Sequence, residues 1–165
     1  MPRVCRTLLP CTLLALAPGL ARATCWNEAA QRHHIAPELL VAIARAESNL
    51  DPRAENLTHK AKTGTTDIGL MQINSSWLPK LARYGIDRAR LFDPCVNLNV
   101  GAWILAQCFD KAGVTWDCVG AYNTACTQLK GDACTAARAK YAWRVYERLP
   151  AQGPLAQVSA FVSRQ

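Results

Sequence analysis

Residues 37–48 read Pro-Glu-Leu-Leu-Val-Ala-Ile-Ala-Arg-Ala-Glu-Ser. Pro37 falls where the first turn of a helix has no use for its N–H, so the imino acid costs nothing there. Leu40, Ile43, Ala44 and Glu47 then recur at i, i+3, i+4 and i+7, the spacing of one helical face. Three of the four are apolar and the fourth is a carboxylate. A helix that buries Leu40, Ile43 and Ala44 aims Glu47 at the interior, where desolvation disfavours the anion and raises its pKa. Such a group is a poor stabiliser and a good general acid near neutral pH. The plain alternative is a structural Glu bonded to Arg45, Ser48 or a nearby backbone N–H.

Outward from this helix the chain reads as short helices joined by turns. Upstream, Trp26, Ala29, Ala30 and His33 share a face in 26–34. Downstream, 49–66 is polar, contains Pro52 and Gly64 and keeps no period. That length inside a compact domain points to a functional loop or a small irregular β-hairpin. Helical spacing returns in 77–84 and in 96–111, where Leu98, Gly101, Ala102, Leu105 and Phe109 lie on one face, and again in 116–123 and 136–149. Residues 150–165 hold Gly153 and Pro154 without a period and read as a loose tail. The expected architecture is mainly α: one helical domain over 24–149 with a small irregular β or loop insertion.

The N-terminus reads as an address. Arg3 and Arg6 precede a Leu/Ala-rich stretch that ends in Ala21-Arg22-Ala23, the pattern of a cleavable signal peptide over 1–23. The apolar run is shorter than the roughly 20 residues needed to span a bilayer, and Pro10 and Pro18 interrupt it. Export to the periplasm follows, with no membrane span after cleavage near Thr24.

Cysteine and charge agree with that address. Of eight cysteines, Cys5 and Cys11 leave with the leader, and six remain. An even number in a small exported domain reads as three disulfides, among 15 possible connectivities. The local pattern among these is Cys108–Cys118 and Cys126–Cys134, each closing a short loop, with Cys25–Cys95 tying the N-terminus to the body; the count itself leaves the other connectivities open. Zinc would require close pairs of the C-x-x-C type, which are absent, and His33, His34 and His59 lack H-E-x-x-H spacing. No metal or cofactor is expected. With 50% hydrophobic and 19% charged residues, the chain is neither disordered nor of low complexity. The net charge is +7. Beyond the leader, which takes Arg3, Arg6 and Arg22 with it, 16 basic residues stand against 12 acidic ones, too small a surplus for nucleic-acid binding.

Three motifs give Glu47 a context. Glu47-Ser48 is followed by Gly69-Leu70-Met71-Gln72-Ile73-Asn74 and then by Ala121-Tyr122-Asn123. In this order and spacing the chain resembles the lytic transglycosylases of the lysozyme-like superfamily, and more narrowly the small exported enzymes encoded with bacterial secretion and pilus machinery. The resemblance spans roughly residues 25–149 and implies an α+β lysozyme-like fold acting on peptidoglycan. It makes Glu47 the catalytic acid/base with Ser48 beside it, and it puts Gly69, Leu70, Met71 and Gln72 against the glycan. It makes Tyr122 and Asn123 the far wall of the cleft, and Tyr141, in a shorter match, the late tyrosine of such sites. A Gly turn lets backbone approach a sugar closely, and amides and phenols bind its hydroxyl and N-acetyl groups.

Two departures stand out. Thr124-Ala125-Cys126 follows Ala121-Tyr122-Asn123 where Ala-Gly is usual, and a Cys126–Cys134 bridge is the alternative means of fixing that loop. Thr66-Asp67 precedes the glycine motif and resembles the chicken-type lysozymes, in which the Asp at that position is the second carboxylate. The resemblance therefore leaves three mechanisms. Glu47 alone implies ring closure to a 1,6-anhydro product, Glu47 with Asp67 allows a hydrolytic muramidase, and Asp67 can instead steady positive charge while ring closure proceeds. A turn residue is the plain reading of Asp67, and a non-catalytic glycan-binding assembly protein is the alternative outside enzymology. The implied partners are peptidoglycan strands and components of a secretion or pilus machine, with the enzyme itself a monomer.

Overall fold

The computed structural model describes residues 18–150, with side chains from Cys25 onward. The leader expected over 1–23 and the tail expected over 150–165 lie outside the described residues, apart from the backbone of 18–23 and Pro150. Helices α1 (Pro18–His33) and α2 (Pro37–Ser48) come first. A small sheet follows: β1 (Glu55–Asn56), a helical turn α3 (Lys60–Thr63), β2 (Asp67–Ile68) and β3 (Ile73–Asn74). The chain then makes a 3₁₀ turn (Ser75–Trp77), α4 (Leu78–Leu81) and two further 3₁₀ turns, before α5 (Pro94–Ala112), α6 (Trp116–Asn123) and α7 (Gly131–Tyr146).

Helix α5 is the axis of the domain and packs against α1, α6 and β3. Its start is set by Asp93, whose side chain accepts the N–H groups of Cys95 and Val96 at 2.9 Å each, with Pro94 in the first turn. The face expected to be apolar is buried: Leu98, Gly101, Ala102, Leu105 and Phe109 meet Leu40, Ile43 and Ala44 of α2 in one core. Burying each large aliphatic side chain there stabilises the fold by about 1.5–3 kcal/mol. Gly101 admits the centre of the site. A Cβ on it would lie 2.8 Å from both the Met71 side chain and the Tyr122 hydroxyl.

Between the helices, the sheet is antiparallel in the order β1-β2-β3. The irregular insertion expected over 49–66 is therefore only its first half. Strands β2 and β3 come from the glycine motif and its flanks, where two-residue strands leave no period to read. The structure also places α1 further upstream than 26–34, and sets α7 at 131–146 where 136–149 was expected. At its start, Gly131 and Asp132 give no apolar rhythm, and the bounds follow from packing on α6. Three disulfides, Cys25–Cys95, Cys108–Cys118 and Cys126–Cys134, tie α1 to α5, α5 to α6, and the loop after α6 to α7. His33 adds a hydrogen bond from α1 to Asn99 of α5 at 2.8 Å.

Candidate active site

Glu47 sits in the last turn of α2, one helical step past the buried Ile43 and Ala44. The helix stops there because Asn49 (φ 53°) and Leu50 (φ 67°) both take the left-handed conformation, a costly choice for Leu. Their N–H groups return to the Ala44 carbonyl, so the chain turns away and leaves Glu47 at the edge of the core. Tyr141 of α7, itself 4% exposed, donates its hydroxyl to Glu47 Oε1. Asn123, at the end of α6, donates Nδ2 to the same oxygen at 3.5 Å. Oε2 accepts nothing among the described residues and is the oxygen left for a substrate proton.

Electrostatics suit that use. Burial pushes the Glu47 pKa up from its ordinary value. The Tyr141 hydrogen bond, the Arg144 charge and the Asn123 amide pull it partly back, and the Asp67 charge adds a little to the rise. The Arg144 guanidinium lies 4.8 Å over the Tyr141 ring. Burial and the neighbouring Glu47 carboxylate keep the Tyr141 phenol protonated and therefore a donor.

The glycine motif forms a turn wedged between α2 and α5. Gly69 has φ 75°, and a Cβ on it would lie 2.4 Å from Asn97 Nδ2 and 2.7 Å from the Leu91 carbonyl. Only glycine fits such a position. Asn97 of α5, fully buried, holds the turn from below: its Nδ2 donates to Ile68 and Leu91 carbonyls at 2.8 and 2.7 Å, and its Oδ1 accepts the Met71 N–H at 2.7 Å. From the sides, Ser48 donates its hydroxyl to the Leu70 carbonyl at 2.7 Å, and Tyr122 donates to the Met71 carbonyl at 2.9 Å. Burial holds the Tyr122 phenol well above its ordinary pKa, so that bond persists across the working pH range.

Asp67 lies on β2, directly between Asn56 of β1 and Asn74 of β3 in the strand register. Asn56 Nδ2 donates to Oδ2 at 3.1 Å, and Asn74 Nδ2 donates to Oδ1 at 2.8 Å. Both amides are fixed in orientation by their other ends. Asn56 Oδ1 accepts the Thr58 N–H and hydroxyl, and Asn74 Oδ1 accepts the Ser76 N–H that begins the 3₁₀ turn. The Asp67 carboxylate is thus built into the sheet, with a side chain 20% exposed. His59 Nε2 stands 3.6 Å from Oδ2.

The structure brings Glu47, Tyr141 and Asn123 into contact, and the charge of Asp67 is felt at Glu47. The other expected residues serve in ways the motifs did not disclose. The Leu70 and Met71 side chains are core, 5% and 0% exposed, so only their backbone can meet a ligand. The Ser48 and Tyr122 hydroxyls are spent on the turn. Gln72, at φ 48°, turns its Nε2 inward to the Gly69 and Ala54 carbonyls at 2.8 and 3.2 Å, which leaves its Oε1 for a ligand. Cys126 has φ 56° beside its bridge to Cys134, so the loop after Asn123 keeps a left-handed residue although the glycine is missing. Asn97, Asn56 and His59 were missed. Asn97 left one signal, an amide inside the apolar run of α5. The other two left none, because cross-strand neighbours are set by register and not by spacing along the chain.

Comparison with known proteins bears on this geometry. Residues 24–142 match the family model described as the transglycosylase SLT domain. Invasion protein IagB of Salmonella typhimurium (strain LT2) is 39% identical over 133 residues, covering 80% of this chain and 79% of its own. Protein IpgF of Shigella flexneri is 35% identical over 137 residues, 82% and 86% of the two chains. A peptidoglycan-binding-like protein of Escherichia coli O157:H7 is 38% identical over 122 residues, 71% and 73%. On the strength of that match, the chain belongs to the transglycosylase SLT domain family and is a lytic transglycosylase of the lysozyme-like superfamily.

Proposed function

We propose that the enzyme cleaves the β-1,4 bond between N-acetylmuramic acid and N-acetylglucosamine, with Glu47 first as acid and then as base. The Glu47 carboxylic acid gives its proton to the glycosidic oxygen as the bond to the muramyl C1 breaks, and an oxocarbenium-like state develops. The resulting carboxylate then takes the proton of the muramyl 6-hydroxyl while that oxygen bonds to C1. The product is a 1,6-anhydro ring, and no water is consumed. The observation that carries this reading is a half-buried Glu47 of raised pKa, held through Oε1 by Tyr141 and Asn123 with Oε2 unoccupied. Gln72 Oε1 and the Asn123 amide offer the glycan polar contacts, whereas Gly69 is buried against Asn97 and shapes the turn without reaching the sugar.

One observation favours a second reading. Asp67 is fixed by Asn56 and Asn74 and its charge is felt at Glu47, which suits the second carboxylate of a hydrolytic muramidase. Mass spectrometry of digested murein decides between the two. Anhydro ends support ring closure. Reducing ends, heavier by one water, support hydrolysis and displace the first reading.

The setting we infer is the periplasm, reached through the 1–23 leader, where the enzyme opens the wall locally for a secretion or pilus machine. The family match begins at residue 24, where the leader was expected to end, and three disulfides suit an oxidising compartment. No helix among the described residues is long and apolar enough to cross a membrane. N-terminal sequencing of periplasmic protein tests export: a start near Thr24 supports it, and an intact Met1 overturns it.

A further inference from the structure

The β1–β2 connection carries an imidazole that the mechanism above does not use. The backbone of His59 is fixed at the head of α3, where its carbonyl accepts the N–H groups of Lys62 and Thr63 and the Thr63 hydroxyl. The side chain is 27% exposed, and its Nε2 is buried, has no hydrogen-bond partner among the described residues, and faces Asp67 Oδ2 at 3.6 Å. A ring N–H at Nε2 would donate toward this oxygen, whereas a bare nitrogen would turn its lone pair against it. A buried N–H left unsatisfied costs as much as a lost hydrogen bond. A shift of about half an ångström satisfies it, because an N–H···O bond needs roughly 2.7–3.2 Å.

Counting lone pairs gives this contact a consequence. Asn74 takes one site on Oδ1, while Asn56 takes one site on Oδ2 and His59 faces the other. Oδ1 is then the oxygen with an acceptor site left for the reacting sugar. We propose that His59 is a positioning residue for Asp67: its ring N–H closes on Oδ2, reinforces the grip of the two amides on the carboxylate, and keeps Oδ1 turned to the positive charge that develops at the sugar. This rests on Asp67 acting in the reaction. It makes the β1–β2 connection part of the machinery.

A double-mutant cycle on murein turnover tests it, with thermal unfolding measured on every variant. His59→Ala and His59→Phe, the second keeping ring bulk without a donor, are expected to lower kcat about three- to tenfold and to change KM by less than about twofold, since the contact acts on the transition state. His59→Gln, which keeps an N–H donor, recovers part of the loss. In an Asp67→Asn background the His59 substitutions lower kcat by less than about twofold, because groups that act as one unit are not additive. Equal losses in both backgrounds overturn the proposal, as does an unchanged kcat in the His59 single variants. An Asp67→Asn enzyme with wild-type kcat defeats the reading of Asp67 itself and the proposal with it, and that failure is visible from the single variant alone. Where His59→Ala does not fold, the contrast between His59→Phe and His59→Gln carries the cycle.

Discussion

Two walls, the helices that carry Glu47 and the small sheet that carries Asp67, hold their carboxylates in opposite ways. On the helical wall, Glu47 emerges from a core of Leu40, Ile43 and Ala44, and its partners, a phenol and an amide, both bond to one oxygen. Burial wins over those partners, and the pKa rises. On the sheet wall, Asp67 stands in a row of side-chain amides, with an N–H donor on each oxygen. The two carboxylates are thus held differently, one buried and bonded through a single oxygen, the other bonded through both. Asn97 joins the walls, since it bonds to the Ile68 carbonyl next to Asp67 and to the Met71 N–H in the turn that Ser48 ties to α2.

The strongest way to break this contrast is Glu47→Gln. It removes the acid and is expected to lower murein cleavage by about 10²–10⁴-fold, so activity above about a tenth of wild type contradicts the assignment. Stability moves the other way. With the folded pKa raised above its ordinary 4.5, wild type loses stability relative to the Gln variant as pH rises through that folded value. Thermal unfolding should therefore find Glu47→Gln at least as stable at neutral pH. The gap should close below pH 4.5, where both side chains are neutral.

Asn97→Ala attacks the strut between the walls. It strands the Met71 N–H and two carbonyls in the core, at a cost of about 3 kcal/mol or more. Urea denaturation measures this, and a loss below about 1 kcal/mol shows that the amide is replaceable. Asp67→Asn isolates the sheet wall. An anion facing an oxocarbenium ion acts mainly in the transition state, so kcat should fall by about 10²-fold with KM little changed. A rise in KM at constant kcat makes Asp67 a binding residue instead.

Tyr141→Phe sharpens the contrast with the smallest effect. The hydroxyl lowers the Glu47 pKa, so its removal leaves burial less opposed, and the alkaline limb of the kcat profile should move to higher pH. Turnover at the optimum should drop by no more than about tenfold, the worth of one hydrogen bond. A limb that moves to lower pH is inconsistent with the bond as drawn.

The sequence by itself determined the helical wall. Helix α2 follows from Pro37 and the spacing of Leu40, Ile43, Ala44 and Glu47, because a helix places those positions on one face whatever surrounds it. The buried face of α5 follows for the same reason. The sheet wall was decided only by tertiary structure. Its strands are two residues long, and Asn56, Asp67 and Asn74 become neighbours through a register that closes over α3 and the Gly69 turn. The same holds for Tyr141, 94 residues from Glu47, and for the Ser48 and Tyr122 hydroxyls. Their residue types announce donors, but which acceptor each one finds depends on how α2, α5, α6 and α7 pack around the turn. Periodicity is local and survives in a single stretch of chain, whereas a hydrogen bond between distant segments exists only once the core that carries both has closed.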